Sequence, residues 1–486
     1  MTRWAPRSTR RARAISARAP AARARLVDRG AQRVMALVGG GDNGGDALYA
    51  VAHLAAQGFP VAVVTVASQA HEGGLAAVAQ LGTEVVALSS DPLRAHELAA
   101  EADLVVDGIL GIGGRPGLGG DVETLLGAIS PDAYVLAVDL PSGHDPDGAE
   151  TGPGGVFADE TVSFGALKGV HLLPPGERAV GRLTLVDIGL DLATSPASPS
   201  VQRLTRADVA DRWPVPGPDD DKYSRGVVGI VAGGPSYTGA AVLAVTSAVC
   251  SGAGMVRYVG PRLPTDLVRA AVPEALAGPG SVQAWVVGPG LDAADDSEQG
   301  RAQVSAAREA LASDLPCVVD AGGLDLIAGP RSAPTLLTPH AGECARLLTR
   351  LTREAVRRAD VVDRPVAQAR VLASLTGATV LLKGSTTVVV EADPGRSVWS
   401  QADAPPWLAT AGAGDVLAGL LGTLLAAGLD PPDAGALGAL VHGVAAERAN
   451  PGGPVRALDV ARAIPATVTS LLQYATGPFG GADLAD

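Results

Sequence analysis

The residues best suited to chemistry lie in Thr410-Ala-Gly-Ala-Gly-Asp415, which runs directly into the apolar stretch Val416-Leu-Ala-Gly-Leu-Leu-Gly422. Glycine lets backbone approach a ligand closely, and the unpaired N–H groups of a helix's first turn favour an anion. This places Asp415 at the lip of a phosphate-binding hole. A carboxylate there has one evident use, taking the proton of a hydroxyl as phosphorus is attacked. The plain alternative is a helix N-terminus with an acid in its first turn, worth roughly a few tenths of a kcal/mol.

The lysines favour chemistry. Only Lys168, Lys222 and Lys383 occur among 38 basic residues. Ammonium and guanidinium are not interchangeable at a tight site. All three lysines lie in glycine-containing turns: Phe164-Gly-Ala-Leu-Lys-Gly169, Asp221-Lys-Tyr-Ser-Arg-Gly226 and Leu381-Leu-Lys-Gly-Ser-Thr-Thr387. Lys383 and the following Gly384, Ser385, Thr386 and Thr387 end a strand and offer donors to phosphates. Thr338-Pro-His-Ala-Gly-Glu343 follows another strand and precedes a helix. There His340 can orient a substrate and Glu343 can act through magnesium; a capping or core-edge role is the alternative for His340.

A second set lies nearer the N-terminus. Gly39-Gly-Gly-Asp-Asn-Gly-Gly-Asp46 follows a strand and opens a helix. Its glycines suit close approach to a phosphate, and Asn43 and Asp46 add side-chain ligands. It has neither dinucleotide GxGxxG spacing nor a Walker loop, since no Lys-Ser/Thr follows. Val106-Asp-Gly108 and Val138-Asp-Leu-Pro-Ser-Gly143 end two further strands, so Asn43, Asp107 and Ser142 converge on one sheet edge. All three are oxygen donors, which suits a hard cation rather than zinc. Asp139 is a carboxylate at the same edge, available as an acid or base. Taken singly, each Asp reads as a helix cap or turn residue.

Repeated strand–helix units must position these groups. Val34–Val38, Pro60–Val66, Ala102–Val106 and Ala133–Val138 are apolar runs, with a helix from Gly45 to Gln57 between the first two. Such alternation implies a parallel sheet covered on both faces, which binds ligands at its C-terminal edge. Ala193-Thr-Ser-Pro-Ala-Ser-Pro-Ser200 reads as linker. The rhythm restarts at Val227–Ala232, Ala284–Val287 and Pro316–Val319, and three helical stretches near 414–428, 432–449 and 457–474 close the chain. The expected division is a basic head (1–29), a first domain (30–192), a linker (193–203) and a second domain (204–486).

At 486 residues, two or three domains are expected. Aromatic residues make up only 3% and small residues dominate, which suits three-layer α/β domains with helices packed close on a sheet. The net charge of −13 disfavours nucleic acid and anionic membranes as partners. Residues 1–27 nevertheless carry eight arginines and no acid; this head has the composition of a transit peptide and equally that of a disordered extension. No segment reads as long enough to span a bilayer. Cys250, Cys317 and Cys344 are widely spaced and read as reduced core residues of a cytoplasmic protein.

Both halves resemble known families. Asp42–Asp46, Val106–Gly111, Val138–Gly143 and Thr161–Lys168 resemble the YjeF N-terminal domain, the NAD(P)H-hydrate epimerases. Lys222–Gly226, Ser236–Ala240, Gly252–Gly254, Gly288–Gly290, Leu337–His340, Leu382–Gly384 and Gly412–Asp415 resemble the ADP-dependent NAD(P)H-hydrate dehydratases. The ordered set spans about residues 30–475 and is similar to the bifunctional repair enzymes. The resemblance implies an N-terminal Rossmann-like domain with a mostly parallel sheet and a C-terminal ribokinase-like domain. It implies metabolite repair of the R and S hydrates NADHX and NADPHX: epimerisation by the first half, then ADP-dependent dehydration of the S form by the second.

For the epimerase half the resemblance implies a potassium (K+) site of Asn43, Asp107 and Ser142. Its substrate loops would be Asp42, Asn43, Gly44, Gly45 and Asp46, together with Gly111, Ile112, Gly113, Gly114, Arg115, Pro116 and Gly117, and Asp139 would contact the ring. For the dehydratase half it implies Asp415 as base, with magnesium (Mg2+). Gly414, Lys383, Gly384, Ser385, Thr386 and Thr387 would hold ADP, and Ala240, Gly290 and His340 would line the hydrate site. A homo-oligomer is expected. Residues 1–30 do not match the helical segment that opens the family's first domain. Asp221 stands where that family more often has His, and Asp320-Ala-Gly-Gly323 where it often has a second Asp. Two other readings remain: a ribokinase-like small-molecule kinase, and a dehydratase whose first domain only binds.

Overall fold

The computed structural model describes Arg11, residues 13–15, 33–150, 152–194 and 198–474. Most of the basic head and the middle of the expected linker lie outside the described residues. The chain forms two compact units, dividing after Ser198.

The first unit is built on β1 (Val34–Val38), β2 (Val61–Thr65), β3 (Glu84–Ala87), β4 (Leu104–Gly108), β5 (Tyr134–Val138), β6 (Glu160–Phe164) and β7 (Arg182–Val186). They lie in the order β3-β2-β1-β4-β5-β6-β7, each pair parallel. β1, β4 and β6 are buried along their whole length; β1 and the start of β4 read as apolar runs for that reason, whereas β6 buries Glu160, Thr161 and Ser163. Helix Asp42–Ala56 packs one face through Ala47, Leu48 and Val51. Helices Pro92–Glu101 and Gly120–Gly127 supply Leu98 and Leu125 to the other. Strand order reverses between β1 and β4, so their C-terminal ends open a crevice of the kind that binds ligands in such sheets. Ile15, 1% exposed, joins the core beneath helix Asp42–Ala56.

The second unit contains β8 (Val201–Gln202), β9 (Val227–Val231), β10 (Met255–Val259), β11 (Leu276–Ala277), β12 (Ala284–Val287), β13 (Cys317–Val319), β14 (Thr335–Leu337), β15 (Thr379–Leu382), β16 (Thr387–Val390) and β17 (Val398–Gln401). The order is β11-β10-β9-β12-β13-β14-β15-β16-β17-β8. It is parallel from β11 to β15; β16 and β17 then run antiparallel. β8 pairs with β17, so part of the segment expected as linker is strand. Helices Thr238–Cys250, Ala413–Ala426, Pro431–Ala449 and Ala457–Tyr474 share one core with the sheet. Helix Ala413–Ala426 lies close because Gly419 and Gly422 carry no Cβ: one would fall 2.1 Å from the Ala244 carbonyl oxygen and the other 2.2 Å from Val286.

Candidate active sites

In the first unit, β1 turns through Gly39–Gly41 into helix Asp42–Ala56. A Cβ on Gly39 would lie 1.9 Å from the Ile109 carbonyl oxygen, and one on Gly44 would lie 2.3 Å from that of Gly39. Glycine is what lets β1, its helix and the end of β4 meet. There Asn43 Nδ2 donates to the Leu110 carbonyl at 2.9 Å. Ser142 donates from its backbone N to Asp107 Oδ2 at 2.8 Å and from Oγ to Oδ1 at 2.6 Å, and its Oγ accepts from Leu110 N at 2.9 Å. Asn43, Asp107 and Ser142 thus gather around Leu110. Asp107 is fully buried. Burial pushes its carboxyl up to about 6, against the pull of the hydrogen bonds from Ser142 and Ile109. These oxygen donors around a buried acid fit a hard cation. Among the described residues, no group of three His, Cys, Asp or Glu could hold a metal ion.

Asp139 follows β5 directly, at φ +66°, a left-handed conformation that Asp tolerates better than most side chains. Lys168 Nζ donates to its Oδ1 and to Ser163 Oγ at 3.0 Å. Ser163 Oγ and Phe164 N reach the same Oδ1 at 3.3 Å. His171 Nε2 bonds the Asp139 carbonyl at 2.8 Å. A carbonyl only accepts, so Nε2 carries the proton, and Nδ1 accepts from Lys168 N at 3.0 Å. Burial, then Lys168, holds the His171 pKa down at about 4, so the ring is a neutral brace.

Asp46 is 3% exposed, and burial raises its carboxyl pKa although Arg11 Nη1 donates to it at 3.1 Å. The Arg11 guanidinium also lies 5.2 Å from the Phe164 ring centroid, a cation–π distance. A cavity of about 310 Å3 opens at the ends of β1 and β4, lined by Gly39, Gly40, Ile109, Leu110, Gly113, Gly114, Arg115 and Gly117, among others. Ile112 is 68% exposed. Gly117 N donates to the Gly143 carbonyl at 2.8 Å, tying this loop to Ser142. Asp42–Asp46 and Asp139 are not part of the cavity lining.

In the second unit, β13 ends at Asp320, β14 leads to His340 and Glu343, and β15 ends at Lys383. Lys383 Nζ donates to Asp320 Oδ1 at 2.7 Å and lies 3.8 Å from Glu343 Oε2. Thr338 Oγ1 donates to the same Asp320 oxygen at 2.8 Å. Burial alone would lower the Lys383 pKa; Asp320, Glu343 and Asp415 outweigh it and hold the ammonium above its usual range.

Gly412 opens helix Ala413–Ala426 at φ +88°, where any side chain would strike Leu243. A Cβ on Gly414 would sit 3.3 Å from Lys383 Nζ and 3.6 Å from Asp320 Oδ2, so the helix's first turn faces the ion pair. Asp415 lies on that turn. Burial first, then the Asp320 carboxylate, raises it to about 7, with Lys383 pulling the other way.

His340 is the N-cap of helix Ala341–Thr352. Its Nδ1 accepts from Gly342 N at 3.0 Å and Glu343 N at 3.2 Å, and Glu343 Oε2 accepts from His340 N at 2.8 Å. Capping and an outward role are compatible, because the His340 side chain remains 59% exposed. Ala240 and Gly290 touch: a Cβ on Gly290 would lie 2.6 Å from that of Ala240. Gly384, Ser385 and Thr386 form the β15–β16 turn beside Lys383, and Thr387 begins β16.

Several residues in these clusters were not among the expected site residues, among them Lys168, Ser163, His171, Asp320, Thr338 and Arg11. Lys168 stood inside a recognised motif, and its rarity was the signal. Asp320 was legible only as a strand-end Asp. Arg11 was hidden among the other arginines of the head.

A parallel-sheet unit with an oxygen-lined crevice, joined in one chain to a unit presenting a lysine, three carboxylates and a helix N-terminus, defines a two-domain α/β enzyme. Residues 9–170 match the family described as YjeF-related protein N-terminus, and residues 228–465 the family described as NAD(P)H-hydrate dehydratase. The chain is 45% identical over 420 residues to the bifunctional NAD(P)H-hydrate repair enzyme Nnr of Mycobacterium tuberculosis, covering 83% of this chain and 81% of that one. It is 43% identical over 438 residues to Nnr of Mycobacterium leprae, covering 87% and 85%. A solved ADP/ATP-dependent NAD(P)H-hydrate dehydratase from Bacillus subtilis is 24% identical, covers 57% of this chain and 100% of that one, and has a TM-score of 0.49. The chain belongs to the family of bifunctional NAD(P)H-hydrate repair enzymes. The family match begins at residue 9, and Arg11 and Ile15 pack onto the first unit. The match thus takes in part of residues 1–30, which in sequence look unlike the helical segment that opens the family's first domain.

Proposed function

We propose that this chain restores hydrated NADH and NADPH with the two clusters described above, the first interconverting R and S hydrates and the second dehydrating the S form at the expense of ADP. The observation that carries the second role is Asp415, raised to about 7, on a helix turn whose Gly414 would, given a Cβ, place it 3.3 Å from Lys383 Nζ. The hydrate's ring hydroxyl attacks the β-phosphorus of ADP while Asp415 takes its proton. The phosphorus–oxygen bond to AMP breaks, and Lys383 and the turn's N–H groups face the charge that develops. The ring now carries a phosphate ester, a far better leaving group than hydroxide. Loss of phosphate and a ring proton restores the dihydropyridine. Thr386, Thr387, Ser385 and Gly384 flank the nucleotide phosphates, while His340, Gly290 and Ala240 line the hydrate.

Magnesium supplies charge neutralisation on the phosphates when bound. The carboxylates of Asp320 and Glu343, hard oxygen donors beside Lys383, would hold it. In the first unit Asp107, Ser142 and Asn43 would hold potassium, which suits an all-oxygen set around a buried carboxyl. Asp139, braced by Lys168 and His171, would meet the ring, and the 310 Å3 cavity at the Gly113–Gly117 loop would take part of the nucleotide. The chemistry assigns the work to solvent-borne nucleotides, and among the described residues no helix is long and apolar enough to cross a membrane.

The test is to supply purified S hydrate with ADP and magnesium and to follow the reduced nucleotide, AMP and phosphate together. Equal yields of the three are expected. Accumulation of a phosphorylated hydrate without reduced nucleotide would mean that the second unit is a small-molecule kinase.

A further inference from the structure

β9 ends at Val231 and passes through Ala232-Gly-Gly-Pro-Ser-Tyr237, the turn that opens helix Thr238–Cys250. Side chains from two other elements hold the first two carbonyls of this turn. Gln303, 5% exposed on helix Glu298–Ala312, donates from Nε2 to the Ala232 carbonyl at 3.0 Å and also to the Gly233 carbonyl. Tyr258, buried in β10, donates its hydroxyl to the Ala232 carbonyl at 2.7 Å. An amide nitrogen carries two N–H groups, and both of those on Gln303 serve this turn. The other buried positions of its helix are Gly300, Ala307 and Ala310, so Gln303 is the one polar side chain on that buried face. On the other side of the turn, Gly233 N donates to the Pro289 carbonyl at 2.7 Å, which ties it to Gly288-Pro-Gly290 at the end of β12. A Cβ on Gly290, at φ +65°, would lie 2.8 Å from the Tyr237 carbonyl oxygen, and one on Gly288, at φ +117°, would lie 2.0 Å from that of Asp320. The two turns and the end of β13 therefore form one continuous wall, from Ala240 through Gly290 to Asp320.

We propose that Gln303, assisted by Tyr258, is a positioning residue for hydrate binding: by holding the Ala232 and Gly233 carbonyls it fixes the turn that seats Tyr237 and Ala240 against Gly290. The proposal rests on the reading that Ala240 and Gly290 line the hydrate. A turn with two adjacent glycines has little stiffness of its own. Ala232, Gly233 and Gly234 are buried, whereas Pro235, Ser236 and Tyr237 are exposed, so the restraint must act at the base of the turn. A buried carbonyl without a donor is costly. Removing the amide would therefore drive Gly233 to seek another partner and shift the wall it belongs to. Gln303 acts through backbone alone, and no part of it needs to meet the substrate. The nucleotide phosphates belong to a different wall, built from Lys383, the β15–β16 turn and the start of helix Ala413–Ala426, so loosening the Gly233 turn should weaken the hydrate's hold and spare that of ADP.

The experiment compares Gln303→Met, which keeps the length of the side chain and removes both donors, with Tyr258→Phe, which removes only the second bond to the Ala232 carbonyl. KM for the S hydrate and KM for ADP are measured separately in the full chain, with epimerisation as internal control. Gln303→Met is expected to raise KM for the hydrate about tenfold, with KM for ADP and epimerisation unchanged. Tyr258→Phe should raise the same constant by less, because Gln303 still holds that carbonyl. An unchanged KM for the hydrate in Gln303→Met would overturn the proposal, as would an equal rise in both constants, which marks a general loosening of the unit. Should Gln303→Met fail to fold, Tyr258→Phe decides by the same split between the two constants. Ala240→Val tests the underlying reading by itself. An unchanged KM for the hydrate there would remove Ala240 from the hydrate site, and the Gln303→Met result would still decide the positioning role.

Discussion

Lys168 in the first unit donates directly to Asp139, whereas Lys383 in the second donates to Asp320 and leaves Asp415 to be shaped by burial and by a like charge. The same two residue types at strand ends therefore make different tools. An aspartate gripped by Lys168, Ser163 and Phe164 N, on a left-handed backbone braced by His171, is held in one orientation. An aspartate buried beside a second carboxylate sits near neutrality, where a general base is most effective. The first arrangement suits contact with a ring whose configuration is being exchanged. The second suits a proton taken as phosphorus is attacked.

The largest effect that would break this contrast is at Asp415. Asp415→Asn should reduce dehydration about a hundred- to ten-thousandfold with ADP binding retained by calorimetry, and epimerisation unchanged. The same variant carries a stability prediction with a definite sign. The folded carboxyl titrates at about 7, above its ordinary 3.8. Its contribution to stability is therefore full below about 3.8 and is lost as pH rises through 7. At pH values above this window the Asn variant should unfold later than wild type, by on the order of a few kcal/mol. Equal dehydration rates in wild type and variant would remove Asp415 as base.

Next in size, Lys168→Met should cost about a hundredfold in epimerisation and leave dehydration alone. It removes the ammonium that grips Asp139 and leaves a largely buried carboxylate with only the longer bonds from Ser163 Oγ and Phe164 N, with about 1–3 kcal/mol of lost stability. A matching loss in both activities would show that Lys168 merely supports the fold. Asp320→Asn sharpens the comparison from the other side. Removing the like charge should move the acid limb of the dehydration profile down from about 7 by about one unit. A limb that stays in place would mean that burial alone tunes Asp415. The smallest effect on activity is expected at Ile15. Ile15→Ala should destabilise the first unit by about 2–5 kcal/mol and slow epimerisation only through that loss. No change in thermal unfolding would detach the basic head from the fold.

How much of this was legible in the sequence depended on what each position must do. Asn43, Ser142 and Lys383 stood out because each follows a strand near glycines that permit close approach, Asp107 because it lies near the end of one, and Asp415 because a glycine turn opens its helix. β1, β4, β9 and β12 were legible because buried parallel strands leave unbroken apolar runs. β7 was not: it is the sheet's edge, none of its residues is buried, and Arg182-Leu-Thr-Leu-Val186 has too little apolar continuity. Helix Asp42–Ala56 begins three residues before the periodicity does, because its first turn is made of site residues rather than core residues. Asp320 escaped notice because its role comes from a neighbour distant in sequence, Lys383, and no local spacing encodes such a pairing. Arg11 was concealed by composition, one arginine among many until its contact with Asp46 distinguishes it.

The central claim is that two differently tuned aspartates in one chain carry two consecutive steps. It is tested most directly by supplying the R hydrate alone, with ADP, magnesium and potassium, and following the ultraviolet absorbance of the restored dihydropyridine. Full recovery is predicted, since the R form must pass through the first unit before the second can act on it. Recovery no faster than spontaneous epimerisation, while the S hydrate is consumed rapidly, would contradict it.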